Sequence, residues 1–193
     1  MPSRPTRKQI EAEDASMSRR QANFRLAADA VADALSGFEE VQAIALFGSV
    51  SRPLWREVPR FQPYRRVGIE VLHECKDVDL AVWLDRADRL AEMGRARAHG
   101  LNDLLARDRV GVAHHELDIF FFAAGGDRYL GRLCHFATCP KGKAECLVPG
   151  CGATPLLRQH EDFVMYADAL LGSVKLYERR AGRVARAAEI GMA

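Results

Sequence analysis

The stretch DVDLAVWL, residues 77–84, decides the fold. Asp77 and Asp79 fall on one side of an extended chain, and Val78 and Leu80 fall on the other. This alternation predicts a β-strand whose two carboxylates share one face, about 7 Å apart along the chain. Like charges are costly to bury side by side unless a cation lies between them. The pair therefore fits either a Mg²⁺ or Mn²⁺ site, since these cations prefer oxygen ligands, or the solvated face of an edge strand.

Working outward from this strand, short apolar runs at 41–47 and 110–122 predict two more buried strands. A helix is expected to begin at Ser18, because Ser18 and Gln21 fit a capping box. Helical spacing of apolar residues predicts another helix over 88–107. Helices and strands alternate in this order, which predicts an α+β (mixed α/β) fold with a small mixed sheet and flanking helices.

The same patterns divide the chain into four segments. Residues 1–17 are polar and are expected to form a flexible tail, and residues 18–130 form the α+β domain. A cysteine-rich loop follows at 131–153. In the last segment, 154–193, Thr154 is expected to cap a C-terminal helix packed on the domain.

Composition excludes several classes of protein. The 193 residues are 48% hydrophobic with a net charge of +2, which excludes collagen, coiled coil and a disordered or strongly basic nucleic-acid-binding chain. No apolar run approaches the roughly 18 residues of a membrane span, and the N-terminal part is polar and lacks a signal-peptide pattern. We therefore expect a soluble cytoplasmic protein with no membrane partner.

Four of the five cysteines fall within eighteen residues: Cys134, Cys139, Cys146 and Cys151. An odd count without a secretory signal argues against disulfides and favours a structural Zn²⁺ site, because four thiolates fill a tetrahedral shell. Their spacing is not that of common zinc knuckles, so four free thiols stay open as an alternative. His135 or His160 would also serve in place of one thiolate.

Gly48-Ser49 follows the first predicted strand directly. A glycine there permits a tight turn and a close approach to a ligand, and the serine offers a hydroxyl and an N–H to a phosphate oxygen. A plain turn is the alternative interpretation.

Asp118 is the single carboxylate of an otherwise apolar stretch, and an acid at such a position needs a partner. That partner is either an arginine at the strand end or a cation shared with Asp77 and Asp79. Three carboxylates can hold two divalent ions about 3.5–4 Å apart, an arrangement that serves phosphoryl and nucleotidyl transfer.

Taken together, residues 46–52 (LFGSVSR), Asp77-Val78-Asp79 and Leu117-Asp118-Ile119 resemble the nucleotidyltransferase superfamily that includes DNA polymerase beta, above all its small members with a minimal nucleotidyltransferase domain. The resemblance covers about residues 41–122. It implies that Gly48, Ser49 and Arg52 bind the phosphates of a nucleoside triphosphate. It further implies that Asp77, Asp79 and Asp118 bind Mg²⁺ and act in catalysis, with Asp118 helping to activate the acceptor hydroxyl.

The sequence departs from that family where Pro53 follows Arg52 and where residues 52–66 form an arginine-rich insertion. Its arginines either contact the triphosphate or belong to a solvated loop; they are Arg56, Arg60, Arg65 and Arg66. The arginines near the C-terminus leave a similar choice between a nucleic-acid patch and a solvated helical face.

The expected function is transfer of a nucleoside monophosphate from a nucleoside triphosphate to the hydroxyl of an acceptor that the sequence does not identify, with release of pyrophosphate. Two alternatives remain open: a non-catalytic nucleotide-sensing domain on the same fold, and a zinc-containing nucleic-acid-binding module. Nothing in the sequence fixes the oligomeric state.

Overall fold

The computed structural model describes residues 4–136, 138–139, 151, 154–159, 165–166 and 168–191. In these residues the chain has a mixed α+β fold. It contains the helices α1 (Arg7–Ser36), α2 (Tyr64–Val67) and α3 (Leu90–Asp108). Its strands are β1 (Val41–Phe47), β2 (Arg56–Glu57), β3 (Val71–Leu72), β4 (Val78–Leu84), β5 (Leu117–Ala123), β6 (Tyr129–Leu133), β7 (Leu157–Arg158), β8 (Val174–Glu178) and β9 (Gly182–Arg183).

Seven of the strands form one sheet in the order β7-β6-β5-β4-β1-β8-β9, and β2 pairs with β3 in a separate hairpin. The β4–β5 pair is parallel and is connected through α3, whereas the other pairs of the described sheet are antiparallel. The predicted strands at 41–47 and 77–84 and the predicted helix at 88–107 are confirmed, the latter two shifted by one or two residues.

The two faces of the sheet differ because side chains alternate along each strand. Ile44, Leu80 and Ile119 belong to the main core, which also contains the buried side chains of α1 and α3. The opposite face carries a smaller apolar cluster around Phe47 and Phe122. Asp79 and Asp118 have the parity of this second face, so the carboxylates lie on the side of the sheet away from the two long helices.

The predicted flexible tail over 1–17 and the predicted helix start at Ser18 are wrong, because α1 already begins at Arg7. Thr6 forms the capping box, in which its hydroxyl accepts from the N–H of Gln9 and the Gln9 side chain accepts from the N–H of Thr6. The hydroxyl of Ser18 instead donates to the carbonyl of Asp14, one turn earlier in the same helix, at 2.9 Å.

The predicted strand at 110–122 begins later than expected, at Leu117. Residues His114–Glu116 form a 3₁₀ turn just before it, and the Glu116 carboxylate accepts from the N–H of Ala113 at 2.9 Å. This local hydrogen bond competes with strand pairing, so the strand begins only at Leu117.

The predicted C-terminal helix is wrong for the described residues. Leu156 has a left-handed φ of 63°, and β7 after it pairs with β6. Residues 174–178 are extended as β8 and pair with β1. Sheet pairing satisfies the backbone at both places, so the apolar residues that suggested a helical stripe instead serve short strands. None of the helices in the described ranges has the length and apolar character of a membrane span.

Candidate active site

Asp79 and Asp118 lie directly opposite each other in the parallel register of β4 and β5. Neighbouring strands are about 4.8 Å apart, so the two side chains emerge next to each other on the same face. Asp77 precedes β4 by one residue and is exposed, whereas Asp118 is buried. The structure therefore brings the three predicted aspartates into one region.

The three carboxylates interact electrostatically. Burial, followed by the charges of Asp118 and Asp77, raises the pKa of Asp79 to about 7. Burial also raises the pKa of Asp77, with contributions from the charges of Asp118 and Glu116. A site in which two carboxylates resist ionisation gains free energy from any cation that neutralises them.

Asp118 has two side-chain partners, neither of which the sequence identifies by residue. The Arg132 Nη1 lies 2.5 Å from Asp118 Oδ2, and the His135 Nε2 lies 3.4 Å from Asp118 Oδ1. Burial alone would raise the pKa of Asp118, but the contacts with His135 and Arg132 outweigh it and lower that pKa. The Asp118 carboxylate is thus held ionised by side chains of this chain itself.

The arginine partner of Asp118 was among the interpretations that the sequence left open, although no arginine was identified. Arg132 belongs to β6 and pairs in register with Phe120, two residues beyond Asp118. The sequence signal for this ion pair is a single arginine in the short stretch that forms β6 and a single aspartate in the apolar stretch that forms β5. His135 contacts Asp118, and its Nδ1 lies 3.4 Å from the buried guanidinium of Arg97.

The contacts of Asp79 and Asp118 bear on whether these residues can hold a divalent cation. Among the described residues, no three His, Cys, Asp or Glu side chains are grouped closely enough to hold a metal ion. Asp118 Oδ1 is nevertheless buried without a hydrogen-bond partner in the described part of the chain, and the Asp79 carboxylate is poorly compensated. The donor chemistry fits Mg²⁺ or Mn²⁺, but in this conformation Arg132 occupies the position of a counter-ion to Asp118.

The turn after β1 lies against the Asp79 carboxylate. Gly48 has a φ of 76°, and a Cβ at this position would lie 2.5 Å from Asp79 Oδ2. A side chain would therefore meet both backbone strain and a steric clash, which explains the glycine.

Helix α1 fixes the rest of this turn. The Gln21 Nε2 donates to the carbonyl of Arg52 at 2.8 Å, and the Arg25 Nε donates to the carbonyl of Val50 at 3.1 Å. The Ser51 hydroxyl closes the turn on the carbonyl of Gly48 at 2.9 Å. The backbone near Ser49 is thus held in one conformation by side chains from a distant part of the sequence.

A cavity of about 390 Å³ adjoins the turn and the acids. Ser49, Asp77 and Asp79 line it from the main sheet, and Arg60 and Phe61 line it from the insertion. Its size falls in the range of roughly 300–1,000 Å³ typical of small-molecule sites. Arg52, predicted to bind phosphate, instead donates from Nη2 to the carbonyl of Leu171 at 3.2 Å and is not among the described residues that line this cavity.

The predicted zinc ligands are only partly within the described residues. Cys146 and His160 lie outside them, and no disulfide joins the described cysteines Cys75, Cys134, Cys139 and Cys151. The Cys151 thiol donates to the carbonyl of Leu157 at 3.5 Å.

Three of the four arginines near the C-terminus, Arg179, Arg183 and Arg186, are engaged in ion pairs rather than gathered in a free basic patch; Arg180 is exposed. Arg179 pairs with Asp85 at 2.7 Å, Arg186 pairs with Asp33 at 2.7 Å, and Arg183 pairs with Asp33 and Asp29. These pairs leave little uncompensated positive charge for a nucleic-acid backbone.

Comparisons of the chain with protein-family models, with curated proteins and with solved structures give no match.

Proposed function

We propose that the protein is a metal-dependent nucleotidyltransferase of the DNA polymerase beta type, which transfers a nucleoside monophosphate from a nucleoside triphosphate to an acceptor hydroxyl. The observation that carries this proposal is the cavity of about 390 Å³ lined by Ser49, Asp77 and Asp79, with Asp118 beside Asp79 on the next strand. A glycine-serine turn that can bind phosphate and three neighbouring carboxylates are the parts that nucleotidyl transfer requires.

In this proposal Asp77 and Asp79, with the Oδ1 of Asp118 that His135 Nε2 approaches to 3.4 Å, would hold Mg²⁺ or Mn²⁺. The cation would neutralise phosphate charge and lower the pKa of the acceptor hydroxyl. The turn at Gly48 and Ser49 would bind phosphate oxygens through N–H groups and the serine hydroxyl. Arg52, which the sequence resemblance assigns to the phosphates, would first have to leave the carbonyl of Leu171.

The chemical step forms a bond between the acceptor oxygen and the α-phosphorus of the triphosphate. The bond from that phosphorus to the bridging oxygen breaks, and pyrophosphate leaves with the electron pair. Asp118 would take up the acceptor proton, while Arg132 and His135 hold its carboxylate in place. The remaining residues of the site position the two reactants.

The experiment measures nucleotide binding first, because the acceptor is not identified. Each of the four common nucleoside triphosphates is titrated into the full chain with and without Mg²⁺ or Mn²⁺, and the shift in melting temperature is recorded. Stabilisation that requires the cation and is lost in Asp77→Asn and Asp79→Asn supports the proposal. The matched control is Asp127→Asn, an exposed aspartate of the turn after β5. No response to any triphosphate with either cation would contradict the proposal.

A nucleotide-sensing domain is the second candidate, and one observation favours it. Arg132 already neutralises Asp118, and the described residues offer no preassembled group of three metal ligands. A sensor would bind the triphosphate without releasing pyrophosphate, whichever acceptor hydroxyl is supplied. A pyrophosphate-release assay over a panel of acceptors separates the two candidates.

We further propose that Cys134, Cys139, Cys146 and Cys151 bind one structural Zn²⁺ between β6 and β7. Four thiolates would leave no open position for water, so this ion would stabilise the loop and take no part in the reaction. This role requires thiols that stay reduced, in keeping with the cytoplasmic location predicted from the sequence.

A further inference from the structure

The arginine-rich insertion is a folded unit attached to α1. Its strand β2 pairs with β3, which follows the insertion in the chain, and Asp14 of α1 holds both strands. The Asp14 carboxylate accepts from Arg56 Nη2 at 2.6 Å and from the N–H of Leu72 at 2.8 Å. The insertion is therefore fixed in relation to the helix that also clamps the turn at 49–52.

The four arginines of the insertion are not equivalent. Arg56 is committed to Asp14, and Arg65 and Arg66 are exposed on α2 and do not line the cavity beside the aspartates. Arg60 does line that cavity, together with Ser49, Asp77 and Asp79. In the part of the chain that the structure describes, Arg60 has no hydrogen bond and no ion pair.

Glu57, the one acid of the insertion, does not need Arg60 as a partner. Glu57, also in the cavity wall, accepts from Trp55 Nε1 at 3.2 Å and lies 3.0 Å from His73 Nδ1. Its carboxylate thus has other partners, and the charge of Arg60 remains available to a ligand. An unpaired guanidinium facing a cavity is suited to a phosphate oxygen, which it can bind through two parallel N–H groups.

Phe61 gives the same wall an apolar surface. Its side chain is 39% exposed although it is aromatic, and its ring packs edge-on against Tyr64. An exposed aromatic ring and an unpaired arginine in the same cavity wall as two aspartates provide surfaces for the two chemically different ends of one nucleotide.

We infer that the insertion is the second wall of the nucleotide site, in which Arg60 binds the triphosphate and Phe61 contacts the base. This inference rests on the proposed function and adds to it the residues that recognise the two ends of the substrate. Carboxylates outnumber cationic side chains in the cavity wall: Glu57, Glu74, Asp77 and Asp79 against Arg60 and Lys76. Triphosphate binding therefore depends both on the added cation and on Arg60.

The test compares two probes on the full chain by isothermal titration calorimetry in Mg²⁺: the nucleoside triphosphate that stabilises the protein most, and inorganic tripolyphosphate, which has no base. Arg60→Gln weakens both probes by about tenfold or more, because a charge-assisted contact to phosphate is lost. Phe61→Ala weakens the nucleotide by several-fold and leaves tripolyphosphate unchanged. Arg60→Lys keeps the charge and recovers part of the affinity.

Arg65→Gln and Arg66→Gln are the matched controls, since they remove the same charge from the same insertion outside the cavity. Both bind the two probes within about twofold of the original protein. If Arg60→Gln binds both probes as tightly as these controls do, while Asp79→Asn abolishes binding, the inference about the insertion is wrong and the proposed function stands. If the unaltered protein binds neither probe, the proposed function fails and the inference fails with it.

Discussion

Gly48 and Asp79 approach each other so closely that a Cβ on Gly48 would lie 2.5 Å from Asp79 Oδ2. Gly48 also has a φ of 76°, a conformation that costs an L-residue about 1 kcal/mol. We expect Gly48→Ala to lower the free energy of unfolding by about 2 to 4 kcal/mol, the sum of the strain and the displacement of a carboxylate. Chemical denaturation at pH 7 measures the change.

Gly125→Ala provides the control for that substitution. Gly125 has nearly the same φ, 74°, but a Cβ there meets nothing within 4 Å. Its loss of stability reports the backbone strain alone, so the difference between the two variants is the cost of the clash with Asp79. Equal losses at both glycines would show that the contact with Asp79 carries no energy.

Asp79 makes the stability of the metal-free protein depend on pH. Its pKa is raised to about 7 in the folded chain, mainly by burial and then by the charges of Asp118 and Asp77, whereas an unfolded aspartate titrates near about 3.9. Between these values the folded state holds the proton that the unfolded state has lost. The stability that the protonated Asp79 carboxyl contributes is therefore fully present below about pH 4 and is lost as the pH rises through about 7.

Asn cannot ionise, so Asp79→Asn removes the free-energy cost of ionising a buried carboxylate at high pH. In the presence of a chelator we expect the variant to be more stable than the original protein at pH 8, by on the order of 2 kcal/mol, and the two to converge near pH 4. Urea unfolding across this pH range measures the difference, and Asp127→Asn serves as the control. A constant difference between the curves at all pH values would contradict the assignment.

The elements that the sequence predicted well are those in which pattern and tertiary environment agree. Strand β4 combines strict alternation at Asp77-Val78-Asp79-Leu80 with burial of its apolar side, so its position follows from local information. Strand β1 is a short apolar run that ends just before Gly48, where the close approach to Asp79 requires a glycine. These two elements position four of the six predicted residues of the nucleotide and metal site: Gly48, Ser49, Asp77 and Asp79.

The remaining features depend on contacts between distant residues. The Asp118–Arg132 pair requires knowledge that β5 and β6 are neighbours, and the clamp of Gln21 on Arg52 joins α1 to the turn after β1. The C-terminal segment was misjudged for the same reason. Leu156 and Val174 fit a helical spacing, but β7 pairs with β6 and β8 pairs with β1. Here tertiary contacts override the local helical pattern.

The Arg132–Asp118 ion pair contributes stability that depends on pH with the opposite sign. Burial tends to raise the pKa of Asp118, but the contacts with His135 and Arg132 lower it overall. The contribution is therefore present above the unfolded pKa of about 3.9 and is lost as the pH falls through the folded pKa. We expect Arg132→Gln to destabilise the protein by about 1 to 3 kcal/mol at pH 7, because a buried carboxylate loses its cation.

A double-mutant cycle checks this pair. Asp118→Asn in the Arg132→Gln background removes the uncompensated charge, so the double variant should be more stable than Arg132→Gln alone. The free energy of unfolding is measured at pH 7 and at pH 3.5. The two single variants should differ less from each other at pH 3.5 than at pH 7. Simple additivity of the two substitutions at pH 7 would mean that the pair contributes no coupling energy.

Gln21 connects the helix to the phosphate-binding turn of the proposed site. The side chain is buried, and its Nε2 donates to the carbonyls of Arg52 at 2.8 Å and Ser49 at 3.4 Å. We expect Gln21→Leu to cost about 1 to 2 kcal/mol of stability and to weaken binding of the Mg²⁺–nucleotide complex several-fold, since the turn loses its donor.

Gln42→Leu is the matched control for Gln21→Leu. Gln42 lies at the opposite end of β1 from the turn, where its Nε2 donates to Asp85 Oδ1 at 2.7 Å. Calorimetric titration of both variants should give unchanged nucleotide affinity for Gln42→Leu alone. Equal affinities for the two variants would show that the clamp from α1 is not needed to bind phosphate.

The zinc proposal predicts a stoichiometry. The purified protein should contain about one Zn²⁺ per chain by elemental analysis, and a strong chelator should lower its melting temperature, because a metal bound only by the folded chain stabilises it. Cys134→Ser and Cys146→Ser should each lower the zinc content, whereas Cys75→Ser should not, since Cys75 is buried near Gln21, away from the cluster in the sequence. Nucleotide binding to the chelated protein separates the two metals, because added Mg²⁺ should restore nucleotide binding while the zinc content stays low. A protein that is free of zinc after purification without chelators, and whose melting temperature is unaffected by added Zn²⁺, would leave the four thiols without this role.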